Sequence, residues 1–403
     1  MHRPGHDHAD ELPLPLTTRR VLAVVAGVLA LATAIGLVAL RARESPRDRL
    51  GKLGLESTFY DARVETVDAD RTCETGGEPG PEGTAEPPVR CPQAWVRLLE
   101  GPERGSTTLV DLPGGAARVR FSEGDKVVVA ASPGPDGTTG YAFVDRQRKP
   151  VLLWLAVGFA LVVVALGRLR GVAALAGLGA SLGVLLAFVL PAILVGHNPL
   201  LVAVVGSAAI AFLALYLAHG FRPATTVALL GTLASLALTA VLALLVTRLA
   251  ALTGYASEEA TFVQLAQSSI DLRGLVLAGV VIGALGAIDD MTVTQVAAVS
   301  ELHRVNPRLR RRALYRSAMR IGRDHVASTV NTLALAYAGA SIPLLLLFVL
   351  SDQSLGSVAN GEVVATEIVR TLVGSIGLVS AVPITTWLAV RALPGPSLTP
   401  PTE

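Results

Sequence analysis

The chain has 403 residues, of which 51% are hydrophobic and 16% are charged, whereas about 25% of the residues in an ordinary soluble domain are charged. This composition argues against a soluble globular protein and indicates a membrane protein, whose first partner is the lipid bilayer. The formal net charge is +2, and the arginines gather in one loop rather than in a groove. We therefore expect no nucleic-acid partner.

Eight apolar runs have roughly the 20 residues that a helix needs to cross the hydrocarbon core. They cover residues 21–40, 151–167, 171–196, 200–219, 225–252, 274–300, 326–350 and 367–393. The first run ends without a small-residue cleavage site, so we interpret it as an uncleaved anchor. The predicted organisation is a disordered tail, an anchor helix, an inserted domain, a seven-helix bundle and a second tail, at residues 1–20, 21–40, 41–150, 151–393 and 394–403.

The placement of arginines predicts the orientation of the bundle. Eight of them follow the sixth apolar run, at Arg304, Arg308, Arg310, Arg311, Arg312, Arg316, Arg320 and Arg323. Cytoplasmic loops carry an excess of Lys and Arg, so we expect this loop and both chain termini in the cytoplasm and the insert outside. Apolar residues recur in the loop at near-helical spacing, which predicts an amphipathic helix lying against anionic lipid.

The insert at residues 41–150 predicts a small β-domain. Stretches such as "ARVRF" at residues 117–121 alternate apolar and polar residues between Gly, Pro and Asp turns, as half-buried strands require. We expect a small barrel or sandwich outside the membrane. Cys73 and Cys91 bracket a loop rich in Pro, Gly and Glu on the oxidising side, which predicts a disulfide, with two free thiols as the alternative.

Two common signatures of enzymes and cofactor sites are absent from these elements. The sequence contains neither a nucleotide-binding loop nor an HExxH motif, which would be the usual signatures. Cys73 and Cys91 also lack the further ligands of a zinc site. We therefore expect no enzymatic activity, no cofactor and no bound metal.

Several segments together resemble the YibE/F family of multi-span membrane proteins. They are "VRLLEGPERGSTTLVDL" and "GDKVVVA" in the insert, "GALGAIDDMTVTQ" in the sixth run, "HVASTVNTLALAYAGASIPLLLL" in the seventh and "EIVRTLVGSIGLVSAVPITT" in the eighth. The similarity covers about residues 55 to 392. The resemblance implies a multi-pass protein of the bacterial plasma (inner) membrane with an outer β-domain, and it supplies no function.

Two adjacent carboxylates in the sixth run give the strongest functional signal. Asp290 continues a row formed by Gly279, Gly283 and Gly286, here called the glycine row, and steps of three and four place these residues on one helical face. Small residues let helices approach closely, so we expect this face to turn into the bundle. Asp289, about 100° away around the helix, would border the same cavity.

A carboxylate at the bilayer centre costs roughly 2.5–3.5 kcal/mol and therefore indicates a functional site. We expect the aspartates to bind a proton or a cation, with neutral polar groups as further ligands. These groups are Thr292, Thr294, Gln295 and, in the seventh run, Asn331. The alternative is that the hydrocarbon ends near Thr292, so that both aspartates only meet headgroups or cap the helix.

Glu367 and Arg370 in the eighth run are spaced i to i+3 and share a helical face. They predict either a local ion pair or an arginine that binds an anion. The sequence as a whole predicts an α-helical polytopic membrane protein with about eight transmembrane helices and an inserted extracytoplasmic β-domain. The predicted function is a secondary transporter or ion-coupled permease. The alternative is a membrane-anchored scaffold or signalling protein whose outer domain binds an envelope protein.

Overall fold

The computed structural model describes residues 14–42, 58–69, 71–73, 89–112, 121–133, 138–256, 258–266, 269–350 and 354–394. The chain divides into two compact units. One is Arg47–Val162, and the other combines Met1–Pro46 with Val163–Glu403. The first is built mainly on a β-sheet and the second is helical.

The unit Arg47–Val162 contains an antiparallel sheet. Its described strands are β1 (Thr58–Asp68), β2 (Thr72–Cys73), β3 (Val89–Arg90), β4 (Gln93–Leu98), β5 (Thr107–Asp111), β6 (Lys126–Pro133) and β7 (Thr139–Arg146). Within the described residues, β5, β4, β1, β6 and β7 form one sheet in that order, and β2 pairs with β3. The edge strands β5 and β7 contact each other, so the sheet curls around one apolar face.

Successive side chains of a strand point to opposite faces of the sheet, and those on the apolar face are mostly small or β-branched. Val64 of β1 lies opposite Val96 of β4, and Ala62 of β1 lies opposite Val127 of β6. All four side chains are buried. The curled sheet agrees with the small β-domain that the alternation predicts, although residues 117–120 of the "ARVRF" stretch lie outside the described residues.

The short hairpin of β2 and β3 brings the two cysteines to the same end of the loop that they bracket. Cys73 pairs with Val89 across the hairpin, and the backbone N–H of Cys91 donates to the carbonyl oxygen of Arg71 over 2.8 Å. This backbone geometry is compatible with a disulfide. The side chain of Cys73 lies outside the described residues, so the disulfide stays a prediction.

Polar contacts fix the segment that follows β7. Arg148 donates a hydrogen bond to Asp145 and thereby holds the pKa of that carboxyl below its usual range. Asp61 of β1 accepts from Nε2 of Gln147 over 2.6 Å and from Nζ of Lys149 over 3.3 Å. The end of the sheet is therefore tied to the first residues of the next helix within this unit.

The described helices account for most of the remaining chain. They are α1 (Leu16–Ala39), α2 (Lys149–Val184), α3 (Leu190–Leu194), α4 (Pro199–His219), α5 (Pro223–Leu249), α6 (Glu258–Ala266), α7 (Leu272–Val305), α8 (Arg311–Ala340), α9 (Ile342–Leu350), α10 (Leu355–Asn360) and α11 (Glu362–Ala392). A π-helical segment, Leu185–Val189, joins α2 to α3. Local sequence explains several starts: Asn198 caps α4 by accepting from the N–H of Leu201, and Pro199 occupies the first turn, where its missing N–H is harmless.

Six of the described helices are long and apolar enough to cross a membrane, judged by length and composition. A seventh crossing results if α8 and α9, which meet at an angle of 65°, form one bent span. The sequence predicts eight spans because it separates residues 151–167 from 171–196. In the structure α2 is kinked at Arg168, between the two runs, where the backbone angles are φ 50° and ψ −129°, and the count of six takes Lys149–Leu194 as one span. The number of spans stays a prediction.

The centre of the helical unit consists of α5, α7 and α11, which pack on one another, while α4 packs on α5 and α7. Glycines allow α5 and α11 to approach closely. A Cβ on Gly377 of α11 would lie 2.0 Å from Oγ1 of Thr239 on α5, and one on Gly231 of α5 would lie 2.3 Å from Oγ1 of Thr385 on α11. Ser235 and Thr239 donate to the carbonyls four residues earlier in α5, so these buried hydroxyls are satisfied within their own helix.

The arginine-rich segment is the first part of a long helix rather than a separate helix on the membrane surface. Residues 306–310 are all that separates α7 from α8, and α8 continues from Arg311 through the seventh apolar run. Leu314, Ala318 and Gly322 are its buried residues among those described, and α8 packs on α7 and α11. The spacing of four residues gives one face that is buried by protein, whereas Ile321, on the apolar face that the sequence predicts, is 44% exposed. Contact of this segment with lipid stays a prediction.

Candidate functional site

The two adjacent aspartates of α7 face different surroundings. Asp289 is partly buried, whereas the side chain of Asp290 is 71% exposed. Consecutive helical residues point about 100° apart, and here that rotation turns one carboxylate towards α5 and the other towards α8. The sequence predicts the Asp290 face to be the inner one. The structure instead places Asp289 on the side of α7 that faces Thr232 of α5, while Asp290 lies on the side near His325 of α8.

Asp289 belongs to a hydroxyl network between α5 and α7. Oγ1 of Thr232 on α5 donates to Oδ1 of Asp289 over 3.3 Å, and the same oxygen lies 2.7 Å from Oγ1 of Thr292. Thr292 also donates to the backbone carbonyl of Asp289 over 2.9 Å. Both threonines are fully buried. The carboxylate therefore meets one hydroxyl group, that of Thr232, which in turn lies against the hydroxyl of Thr292.

This network accommodates either protonation state of Asp289. A hydroxyl has one proton to donate and can also accept. When the carboxylate is ionised, Thr232 donates to it, and Thr292 can donate to Thr232 only by giving up its bond to the backbone carbonyl of Asp289. When the carboxyl is protonated, it can donate to Thr232, which then donates to Thr292. Neither state leaves the carboxyl without a hydrogen-bond partner.

The other predicted ligands do not converge on the aspartates. Gln295 is buried, and its Nε2 donates to the carbonyl oxygen of Ala318 over 3.0 Å and to Oγ1 of Thr386 over 2.7 Å. It therefore holds α7, α8 and α11 together. Thr294 is half-buried, and Asn331 is exposed on α8. In the described part of the chain, no hydrogen bond or ion pair joins Asn331 to Asp289 or Asp290.

Asp290 has a neighbour that the sequence does not single out. Nε2 of His325 on α8 lies 3.9 Å from Oδ2 of Asp290, an ion pair only when the imidazole is protonated. His325 begins the quoted stretch "HVASTVNT". A signal was available, since a histidine near the start of an apolar run is unusual enough to be treated as a candidate. Thr232 was also missed, although hydroxyl residues recur through α5 at helical spacing.

The glycine row makes room for polar side chains rather than for another helix backbone. A Cβ on Gly279 would lie 3.5 Å from an Nη atom of Arg370, and one on Gly283 would lie 2.9 Å from the hydroxyl of Tyr337. No described heavy atom lies within 4 Å of the corresponding position on Gly286. The row therefore faces a partly open polar strip between α7, α8 and α11.

Arg370 and Glu367 form the local ion pair that their spacing predicts. Nη1 of Arg370 donates to Oε1 of Glu367 over 2.7 Å, and each side chain is 29% exposed. Nε of Arg370 is buried and has no hydrogen-bond partner among the described residues. Gly279 and Asp289 are ten residues apart on α7, or about 15 Å along the axis at 1.5 Å per residue. The ion pair is therefore separate from the hydroxyl network of Asp289.

Comparisons with known proteins identify one match. The family model described as YibE/F-like protein matches residues 155–395, which include α4, α5, α7, α8 and α11. Neither the comparison with curated proteins nor the comparison with solved structures found a match. Among the described residues, no group of three or more His, Cys, Asp or Glu side chains is placed to hold a metal ion.

Proposed function

The chain belongs to the YibE/F-like protein family, and on that premise we propose that it is a proton-coupled secondary transporter in which Asp289 carries the coupled proton. The family and the long apolar helices support a membrane protein. The observation that carries the proposal is the partly buried carboxyl of Asp289, midway along α7 and bonded to Thr232 of α5.

The position of Asp289 favours a functional role over a purely structural one. A carboxylate in the middle of a membrane helix costs roughly 2.5–3.5 kcal/mol, and such groups mark ion pathways and proton relays. A hydroxyl residue in place of Asp289 would satisfy Thr232 without that cost. A retained carboxyl adds one property that a hydroxyl lacks, which is the ability to gain and lose a proton near neutral pH when it is desolvated.

The geometry favours a proton over a metal ion as the species that Asp289 binds. Hard cations bind six or more oxygens at about 2.0–2.6 Å. Among the described residues, the carboxylate of Asp289 has one side-chain hydrogen-bond partner, Thr232, and this is far fewer oxygens than such an ion needs. A proton needs only one carboxyl oxygen and a hydrogen-bond partner, and both are present.

Two further groups of polar residues have roles in this proposal. Asp290, which is exposed and lies near the half-buried His325, is kept as the second acidic candidate. Glu367 and Arg370 are candidates for binding substrate, and the buried, unpartnered Nε of Arg370 supports an anionic group. Thr294 and Asn331 are kept as weaker candidates, because no described contact connects them to Asp289.

The test compares thermal unfolding of the full chain in detergent from mildly acidic to mildly alkaline pH. A proton that binds the folded state shifts stability with pH by linkage. We expect Asp289→Asn to remove part of the pH dependence of the wild type and Asp290→Asn, the matched control, to retain it. Equal pH profiles for the wild type and Asp289→Asn would refute the proposal. If sodium, potassium or magnesium salts stabilise the wild type and not Asp289→Asn, the species that Asp289 binds is a cation instead of a proton.

A second candidate function is a membrane-anchored scaffold whose β-domain binds an envelope protein. The observation in its favour is the exposed aromatic surface of the sheet, where Trp95 of β4 is 49% exposed and lies beside Leu109 of β5, which is 39% exposed. Exposed apolar residues of this size are candidates for protein contacts. The test expresses each variant in cells from which the gene has been deleted. If Asp289→Asn restores the wild-type phenotype and Trp95→Ser does not, the result favours the scaffold over the transporter.

A further inference from the structure

Four arginines surround a cavity at the end of the helical unit where α8 begins and α11 ends. Arg311, Arg312 and Arg316 come from the first two turns of α8, and Arg391 comes from the last turn of α11. Tyr315, Trp387 and Val390 complete the lining, and the cavity has a volume of about 440 Å³. The guanidinium of Arg391 lies 5.5 Å from the ring centroid of Trp387. These residues are called the arginine cavity.

The positive charge of the arginine cavity is not neutralised by the described protein. None of its four arginines forms an ion pair with a described carboxylate, whereas the nearby Arg304 is paired with Glu301 over 2.5 Å. Arg311 donates only to a backbone carbonyl, that of Leu393, over 3.0 Å. Guanidinium groups that converge without a carboxylate repel one another. An anion between them would be held by charge-assisted hydrogen bonds, and phosphate matches the planar fork of arginine.

The surroundings of the cavity favour a lipid over a free anion. One face of α11 leads away from the cavity and exposes apolar residues at steps of four, three and eight, namely Leu372, Ile376, Val379 and Trp387. Arg391 follows Trp387 by one further turn on the same face. Membrane helices commonly place aromatic rings at the interface and apolar residues towards the acyl chains. The face therefore provides an apolar track that ends at a cluster of cations.

We propose that the arginine cavity binds the phosphate headgroup of an anionic phospholipid, with an acyl chain lying along the exposed face of α11. Basic pockets between membrane helices bind anionic headgroups in this way. The shared chemistry of lipid and inorganic phosphate is the phosphate group, and the apolar track adds affinity only for the lipid. The proposal is independent of the role of Asp289, because no residue of the arginine cavity touches the hydroxyl network.

The test measures lipid binding to the full chain by native mass spectrometry from detergent, with phosphatidylglycerol and phosphatidylcholine compared at equal concentration. We expect the wild type to prefer phosphatidylglycerol, and we expect Arg316→Gln/Arg391→Gln to bind it at least about tenfold more weakly, because two charge-assisted hydrogen bonds are lost. The control is Arg308→Gln/Arg323→Gln, which removes the same charge from exposed arginines outside the cavity and should bind like the wild type.

Each outcome decides the proposal. The comparison of the two lipids on the wild type requires no variant, so equal binding of both lipids overturns the proposal even if the double variant fails to fold. If the cavity variant and the control lose phosphatidylglycerol binding to the same extent, the proposal is also overturned, because the loss would reflect net charge alone. Inorganic phosphate could also stabilise the wild type against heat as much as phosphatidylglycerol does. If that stabilisation disappears in the cavity variant, the site binds a free phosphate anion and the proposal of a lipid is overturned.

Discussion

The close approach of α5 and α11 predicts that one added methyl group at Gly377 destabilises the helical unit. A Cβ at this position would lie 2.0 Å from Oγ1 of Thr239 and 3.2 Å from its Cβ. Thr239 is fully buried, and its hydroxyl donates over 2.8 Å to the carbonyl oxygen of Ser235. The threonine therefore cannot rotate away without losing this bond, and the helices cannot separate without opening the packing on α7.

The magnitude follows from comparing Gly377→Ala with Gly286→Ala. Overpacking a filled core by a methyl group costs about 1–3 kcal/mol. Alanine also gains about 1 kcal/mol over glycine in a helix interior, and this gain is common to both variants. At Gly286 no described heavy atom lies within 4 Å of the added Cβ. We therefore expect Gly377→Ala to be about 1–3 kcal/mol less stable than Gly286→Ala.

The assay is equilibrium unfolding of the detergent-solubilised chain, followed by tryptophan fluorescence. Thr239→Ala removes the oxygen that the new methyl group would strike, so Gly377→Ala/Thr239→Ala should recover most of the loss. The double-mutant cycle should then show a coupling of about 1–3 kcal/mol between the two positions. The reasoning is refuted if Gly377→Ala is as stable as Gly286→Ala, or if the two substitutions are additive.

Three other contacts give measurable expectations. Gln295→Leu should lower the free energy of unfolding by about 1–3 kcal/mol, because a buried carbonyl and the hydroxyl of Thr386 lose their donor. The same denaturation assay measures this change, and unchanged stability would contradict it. Glu362 accepts hydrogen bonds from the backbone N–H groups of Thr253 and Gly254, each over 2.6 Å. Glu362→Ala should therefore speed hydrogen exchange at these two amides, and equal exchange rates in the wild type and the variant would argue against the contact. For the predicted disulfide between Cys73 and Cys91, alkylation of the denatured chain should label neither residue before reduction and both after it, and two labels without reduction would exclude the bond.

The sequence predicts much of the fold because composition and periodicity determine it locally. Long apolar runs locate α4, α5, α7 and α11 within a few residues, since few other structures place so many apolar residues in succession. Alternation of apolar and polar residues locates the strands of the unit Arg47–Val162 for a similar reason. The continuity of α8 was not predictable from charge alone. Its arginines resemble an interfacial segment, and only the burial of Leu314 and Ala318 shows that this segment packs on protein.

The candidate site was predicted in part. The two aspartates stand out in the sequence because charge is rare inside an apolar run, but the sequence does not show which carboxylate faces the protein. That choice depends on which helix packs on which side of α7, a property of the assembled bundle. The glycine row suggested the Asp290 side, since small residues usually mark close helix contacts. In the structure the row accommodates side chains of Arg370 and Tyr337 instead.

The divergence of the two carboxylates changes how the pair should behave. Two carboxyl groups that share one site hold a proton jointly and respond to substitution as a unit. Asp289 bonds to Thr232 on α5, whereas Asp290 lies near His325 on α8, so no hydrogen bond joins the two carboxyl groups. We therefore expect the effects of Asp289→Asn and Asp290→Asn on the pH profile of stability to add in the double variant. Because Asp290→Asn alone should retain the wild-type profile, the additive double variant should behave like Asp289→Asn. A double variant whose profile departs from that of Asp289→Asn would show that the two carboxyl groups act as one proton-binding unit despite facing different helices.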